Sequence, residues 1–320
     1  MNRKLNITVM LGGPSAEREV SLRSGAAVVK ALRSLGHEVN ELDPRQPDWS
    51  LPAKTEVVFL ALHGMYGEDG TVQRALDKLG VPYTGCDAES SRIAFDKVLT
   101  KQRCIQAGVP TPKFMTVELP EELFPKDLQL PLVVKPARQG SSVGLQFVDR
   151  SEDWPRALAE ALKFDSELLV EEKIIGRETT VGILDGQPLP VVEVCPKQGG
   201  YDYQNKYTAG CTEYFCPAEF DAATTQRIHD AAVGAFKAVG GRDYARVDVM
   251  VRPDGSPVVL EVNTLPGMTE TSLLPKAAAA AGMDFATLCQ RMLDLALART
   301  KQGDDTIIMV AAAASSARIF

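Results

Sequence analysis

The stretch Arg246-Val247-Asp248-Val249-Met250-Val251-Arg252-Pro253-Asp254-Gly255-Ser256-Pro257-Val258-Val259-Leu260-Glu261-Val262-Asn263 decides how this chain is read. Polar and apolar residues alternate over 246–251 and again over 260–263, the period of a strand with one buried face. Between them, Pro253-Asp254-Gly255-Ser256 is turn chemistry. The stretch therefore predicts an antiparallel hairpin. A four-residue loop sets Asp248 opposite Glu261 and Arg246 opposite Asn263, with Val249, Val251, Leu260 and Val262 on the other face. A three-residue loop over Pro253-Asp254-Gly255 would shift the register by one. The first register is preferred because it keeps the apolar residues together. Opposed carboxylates repel unless a cation lies between them. A ligand set of oxygens alone suits magnesium, completed by water and phosphate. The competing reading is a solvated face with Arg246 as counter-ion.

Further out, Val133-Val134-Lys135-Pro136 ends a buried strand, and the Gly/Ser loop Gly140-Ser141-Ser142-Val143-Gly144 follows. Backbone N–H groups and hydroxyls in such a loop can wrap phosphate, with Lys135 adding charge. It is not a P-loop, and an ordinary connection remains the alternative. Gly12-Gly13-Pro14-Ser15-Ala16-Glu17 follows the first strand, where an α/β unit binds ligands. Glu17 also suits a plain helix start. His63-Gly64-Met65-Tyr66-Gly67 ends the third strand; a lone His63 there can equally be structural. Asn205-Lys206-Tyr207-Thr208, near Tyr201 and Tyr203, fits a lid or an exposed loop.

At 320 residues the chain is too long for one ordinary core and predicts two or three domains. A net charge of −7 argues against nucleic-acid binding, which needs a basic face. The six cysteines form no C-x-x-C pair and the three histidines sit near none of them, so reduced thiols are expected rather than a zinc site. Residues 5–11 are a short apolar run containing Asn6 and Thr8. They read as a strand entering a loop, not a signal peptide. No apolar run approaches the roughly 20 residues of a membrane span.

The first third alternates strands (5–11, 37–42, 57–62) with helices (21–35, 71–79), a doubly wound α/β unit. One helical stretch is expected over 88–107. Strands 132–135 and 168–172, with a helix near 153–162, suggest an α+β domain. Strands 179–184, 189–194, 245–251 and 257–262 follow, with helices over 222–239 and 285–298. The alanine run 277–281 reads as a helix or its approach. The tail 301–320 has no assigned role, and a poorly ordered extension is expected.

Several motifs occur in one order: Gly12-Gly13-Pro14-Ser15-Ala16-Glu17-Arg18-Glu19-Val20-Ser21, Leu62-His63-Gly64, Gly67-Glu68-Asp69-Gly70, Pro82-Tyr83-Thr84-Gly85 and Asp96-Lys97. Val134-Lys135-Pro136, Gly140–Gly144, Lys206-Tyr207, Arg246–Met250 and Glu261-Val262-Asn263-Thr264-Leu265-Pro266-Gly267-Met268-Thr269 complete the series. In these, the chain resembles the D-alanine–D-alanine ligases of the ATP-grasp superfamily. The resemblance implies an α/β and α+β three-domain ATP-grasp fold: an N-terminal doubly wound parallel-sheet substrate domain (1–96), a central subdomain (97–178) and a C-terminal catalytic domain (179–300). It implies ATP-dependent ligation of two D-alanines through an acyl phosphate, for peptidoglycan precursors, in a cytoplasmic homodimer with no nucleic-acid or membrane partner. Magnesium or manganese, as two ions, would be held by Asp248, Glu261 and Asn263. Lys97, Lys135, Gly140 and Ser142 would hold ATP phosphates. Glu171, Glu172, Lys173 and Ile174 would meet adenine, and Glu178 the ribose. Glu17, Ser141 and Tyr207 would fix the first D-alanine, and Arg246 and Gly267 would stabilise the oxyanion. His63, Lys206, Ser272 and Leu273 would meet substrate. The alternatives are a D-alanine–D-lactate ligase, another ATP-grasp carboxylate–amine ligase, or a nucleotide-binding regulator without turnover.

Overall fold

A computed structural model of the chain describes residues 3–197 and 212–299. Its N-terminal sheet is parallel, in the order β2-β1-β3, from Asn6–Met10 (β1), Glu38–Leu42 (β2) and Val57–Leu60 (β3). Helix α1, Arg18–Ser34, buries Val28, Val29 and Leu32 against it. Each such side chain contributes roughly 1.5–3 kcal/mol. Gly36, at φ +87°, ends the run where other residues would be strained. Helix α1 starts three residues earlier than the apolar spacing suggested, because its first turn, Arg18-Glu19-Val20-Ser21, holds a single apolar residue.

Helix α2 occupies Thr71–Leu79. The expected single helix over 88–107 is instead two, Ala88–Phe95 (α3) and Lys97–Gln106 (α4). The break is Asp96, whose extended backbone and carboxylate cap α4 by accepting from the N–H groups of Val98 and Leu99. That cap places Lys97 at the first helical position.

A four-stranded antiparallel sheet follows, in the order β4-β7-β5-β6: Phe114–Val117 (β4), Leu132–Pro136 (β5), Gln146–Val148 (β6) and Leu168–Glu172 (β7). Helix α5, Trp154–Ala161, covers it through Trp154, Ala157 and Leu158. The short strands β4 and β6 escape sequence reading because neither is long enough to show a period.

The largest sheet has six antiparallel strands: Arg177–Leu184 (β8), Gln187–Pro188 (β9), Val192–Pro196 (β10), Thr212–Phe215 (β11), Tyr244–Val251 (β12) and Pro257–Asn263 (β13). The strand expected over 189–194 lies later, at β10. Helix Ala222–Ala238 packs on this sheet through Ile228, Ala232 and Phe236. Cys104 of α4 and Ile93 and Ala94 of α3 join the same core. Helix Leu273–Ala280 contains most of the alanine run. A last helix runs over 285–299, and its Leu288, Met292 and Leu293 share a core with β1 and β3.

The hairpin β12–β13 uses both registers weighed from sequence. Near the turn Val251 pairs with Pro257, closing the three-residue loop Pro253-Asp254-Gly255 with Gly255 at φ +76°. Then the register shifts between Asp248 and Val249. Leu260 is the extra residue of this bulge. Beyond it, Asp248 faces Glu261 and Arg246 faces Asn263. The expectation for Leu260 needs correction: Val259, not Leu260, joins Val249, Val251 and Val262 in the core, and Leu260 lines a cleft on the opposite side. Among the described residues no helix is long and apolar enough to cross a membrane.

Candidate active site

A cleft of about 580 Å³ opens between the four- and six-stranded sheets. Lys97, Lys135, Ser142, Glu171, Glu172, Lys173, Ile174, Glu178, Asp248 and Glu261 all line it. Segments far apart in sequence thus converge on one space. A smaller pocket beside it is lined by Glu68, Lys97, Gly140, Glu261 and Asn263.

The hairpin supplies the acidic floor. Arg246 donates through Nε to Asp248 Oδ1 and through Nη2 to Oδ2, each at 2.9 Å. Thr180 Oγ1, across the ladder from Asp248, donates to Oδ1 at 2.7 Å. Asn263 Nδ2 lies 3.1 Å from Oδ2. The Lys97 ammonium is 3.7 Å from Glu261 Oε2 and donates to the Gln139 carbonyl at 2.6 Å. Two carboxylates and a carboxamide offer only oxygen donors, and the neighbouring lysines suit an anion shared with a cation. The donor set therefore fits a hard divalent ion such as magnesium or manganese.

The opposite wall carries a buried charge cluster. Glu171 lies opposite Val133, so its side chain shares a face with Lys135 two residues along β5. Lys135 Nζ donates to Glu171 Oε1 at 2.5 Å, and Lys101 Nζ lies 2.6 Å from Oε2. Burial pushes the Glu171 carboxyl up, but Lys101 and Lys135 outweigh it and hold the group below its ordinary range. Burial lowers Lys101, partly opposed by Glu171. Lys101 escaped sequence reading; its only signal is its place one helical turn after Lys97.

Glu17 stands just before α1, and its side chain makes no capping hydrogen bond to that helix. Its Oε1 instead accepts from the Ser141 hydroxyl, in the Gly/Ser loop. A Cβ added at Gly140 would sit 2.7 Å from Glu17 Oε2, and one at Gly64 2.5 Å. Both glycines therefore let backbone approach this carboxylate. Ser141 and Ser142 have φ of +51° and +59°. Such backbone costs roughly 1–3 kcal/mol per residue and is held only where its surroundings over-determine it. Glu17 thus keeps its place at the helix start while its carboxylate also reaches a loop distant in sequence.

His63 is buried, with Nδ1 2.9 Å from the Leu265 carbonyl and Nε2 2.9 Å from Ser24 Oγ. A carbonyl only accepts, so Nδ1 carries the proton and Ser24 donates to Nε2. Burial lowers the His63 pKa, while the charge of Glu17 opposes the shift. Glu68, which had no assigned role, accepts from Gly64 N at 2.7 Å. Burial first, and then Glu17, push its carboxyl up to about 8. Ser272 Oγ accepts from Thr269 N at 3.1 Å and sits beneath Gly267, where an added Cβ would meet it at 2.9 Å. Leu273 is buried in the core shared with β1 and β3. Lys206 and Tyr207, with the rest of the predicted lid, and the tail 301–320 lie outside the described residues.

Two family models match the chain: one described as D-ala D-ala ligase N-terminus over residues 40–86, and one as D-ala D-ala ligase C-terminus over 104–294. A D-alanine–D-alanine ligase of Methylacidiphilum infernorum is 47% identical over 92% of this chain and 97% of its own. The crystal structure of a Bacillus anthracis D-alanine–D-alanine ligase complexed with ATP superposes with a TM-score of 0.81 at 34% identity, covering 93% of this chain and 99% of that one. The VanG D-Ala:D-Ser ligase of Enterococcus faecalis superposes with a TM-score of 0.78 at 28% identity, covering 92% and 99%.

Proposed function

The chain belongs to the D-alanine–D-alanine ligase family and is an ATP-dependent ligase joining two D-alanines for peptidoglycan precursors, and we propose that it does so at the cleft between its two antiparallel sheets. The observation that carries this placement is the convergence of Lys97, Lys135, Glu178, Asp248 and Glu261 on one space.

A carboxylate is a poor acyl donor, because its leaving group would be oxide. Transfer of the ATP γ-phosphoryl to a carboxylate oxygen of the first D-alanine releases ADP and gives an acyl phosphate. The amine of the second D-alanine attacks its carbonyl carbon, the tetrahedral adduct collapses, and phosphate leaves with the dipeptide formed. Lys97, Lys135, Gly140 and Ser142 hold the phosphates. The segment 171–174 receives adenine, and Glu178 the ribose. Glu17, with Ser141, takes the ammonium of the first D-alanine, and Tyr207 completes that set. Arg246 and the N–H of Gly267 face the tetrahedral oxyanion. His63, Lys206, Ser272 and Leu273 shape the substrate side. Asp248, Glu261 and Asn263 would hold two magnesium or manganese ions, which would neutralise phosphate charge. Holding both substrates together removes much of the entropic barrier to joining them.

The division 1–96, 97–178 and 179–300 assigns D-alanine recognition, nucleotide closure and catalysis to successive parts. The protein works in the cytoplasm, where ATP is available, as a homodimer. Incubation with ATP, magnesium and equal D-alanine, D-lactate and D-serine, followed by mass spectrometry, tests the substrate reading. D-alanyl-D-alanine should dominate. A depsipeptide or D-alanyl-D-serine as main product would overturn it.

A further inference from the structure

Lys101 has no part in the roles above, yet it is the most deeply buried charge beside the nucleotide cleft. Its side chain is 1% exposed, against 4% for Glu171 and 10% for Lys135. It donates to Thr111 Oγ1 at 2.9 Å, and Thr111 Oγ1 donates to the Val259 carbonyl of β13 at 3.0 Å. Its ammonium also lies 5.5 Å from the centre of the Phe114 ring. The side chain is therefore fixed on every side, with its charge directed at Glu171.

One carboxylate cannot neutralise two ammoniums. An uncompensated charge in the interior is costly, and the cost falls where a counter-charge can reach it. Lys135 is the member of the set at the wall of the cleft. We propose that Lys101 is a positioning residue for nucleotide binding: it occupies one oxygen of Glu171, so that Lys135, held by the other, presents surplus positive charge to ATP phosphates. This rests on the reading of Lys135 as a phosphate-binding lysine. Without Lys101, Glu171 is left to Lys135 alone, and the pair is neutral towards an incoming polyanion.

The test compares Lys101→Met, Lys135→Met, Glu171→Gln and the double variant Lys101→Met/Glu171→Gln by steady-state kinetics with magnesium–ATP and D-alanine. Methionine keeps the length of the lysine stem and removes only charge and donors. Lys101→Met should raise the KM for ATP roughly tenfold, the loss of one charge-assisted contact, and leave the KM for D-alanine nearly unchanged. Glu171→Gln carries by itself any cost of a lost adenine contact, so the double variant is compared with it: once Glu171→Gln has removed the carboxylate, Lys101→Met should add little to the KM for ATP. A packing role predicts a similar rise from Lys101→Met in both backgrounds. An unchanged KM for ATP in Lys101→Met, equal rises for both substrates, or a tenfold rise from Glu171→Gln to the double variant overturns the proposal. If Lys135→Met raises the KM for ATP and Lys101→Met does not, the role of Lys101 fails alone. If Lys135→Met changes nothing, the phosphate reading fails and takes this inference with it. Should circular dichroism show Lys101→Met unfolded, the double variant set against Glu171→Gln decides: similar ATP KM values support the charge argument, and a tenfold higher value in the double variant overturns it.

Discussion

Asp248 and Glu261 face each other across the β12–β13 ladder, where like charges destabilise a strand pair. Arg246 and Thr180 compensate Asp248 closely, while the Lys97 ammonium stands 3.7 Å from Glu261. Asp248 also holds the Arg246 guanidinium, so substituting Glu261 tests the proposed cation without removing that anchor. Glu261→Gln keeps shape and removes charge. It should lower turnover by at least about a hundredfold at saturating magnesium, the scale of several kcal/mol of lost charge stabilisation, with the melting temperature nearly unchanged. Near-normal activity in a magnesium titration would exclude the hairpin as the metal site. His63 carries a second prediction. Burial lowers its pKa, so below the ordinary value near 6.5 the unfolded chain binds the proton more readily. Stability is then fully present above that value and is lost as pH falls through the depressed folded pKa. Protonating Nε2 would also set an N–H against Ser24, which already accepts from Met268 N at 3.2 Å. Melting curves of wild type and His63→Gln between pH 7.5 and 5 should therefore converge as pH falls. Parallel curves would show that His63 does not titrate on folding.

The loop 140–144 shows what an element can do that its residues do not announce. Gly140 brings backbone against Glu17, Ser141 donates to that carboxylate, and the left-handed pair Ser141–Ser142 turns the chain back over the cleft. Gly140→Ala would place a methyl 2.7 Å from Glu17 Oε2. The loop must then lift, and we expect the KM values for ATP and D-alanine to rise together by roughly tenfold or more, as misplaced groups in a closed site do. Protease cleavage within the loop should be suppressed by ATP plus substrate in the wild type and less so in the variant. Equal cleavage in every state would deny the loop a closing role. The elements were legible in proportion to how local their signals are. Helix α2 and strand β7 matched residue for residue, because their period and stops lie inside the segment. The hairpin register was half legible: turn chemistry favoured one pairing and the apolar pattern another, and the bulge at Leu260 admits both pairings while turning Leu260 itself to the cleft. The break at Asp96 was missed because an aspartate inside a helical period marks a cap only once the flanking helices diverge. The contacts from His63 to Leu265, Glu17 to Ser141 and Lys101 to Glu171 span long stretches of sequence, and no local pattern encodes them.

At the scale of the whole molecule, the proposed chemistry needs Glu17, just before α1, to stay registered with Arg246 on the six-stranded sheet. Apolar packing joins the two parts through Tyr83, Leu265, Met268 and the helix 285–299. Packing alone is non-directional, and the seam also holds a polar lock. Asp243, buried and at φ +60°, pairs with Arg299 and accepts from Gly85 N at 3.0 Å. Arg299 Nη2 donates to the Tyr83 carbonyl at 2.7 Å. One guanidinium thus ties the last described helical turn both to Tyr83, beside the parallel sheet, and to the start of β12. Burial already pushes the Asp243 carboxyl up even with Arg299 beside it. Arg299→Met would push it further, so the folded chain would hold a proton that the unfolded chain releases. Stability is then lost as pH rises through that raised pKa. The deficit of the variant should be smallest at the acid end of the range, where the lost bond to the Tyr83 carbonyl remains, and should grow as pH climbs, by up to about 3–5 kcal/mol, the usual cost of stranding one partner of a buried pair. The KM for D-alanine should rise more than that for ATP, because the cleft proposed for the nucleotide lies between the two antiparallel sheets and is lined by none of Tyr83, Gly85, Asp243 and Arg299. Adding Asp243→Asn removes the stranded charge and should flatten the pH dependence. Melting temperatures of the three proteins from pH 5 to 9 decide the matter: a deficit in Arg299→Met that does not grow with pH would mean that the lock holds by shape and not by charge.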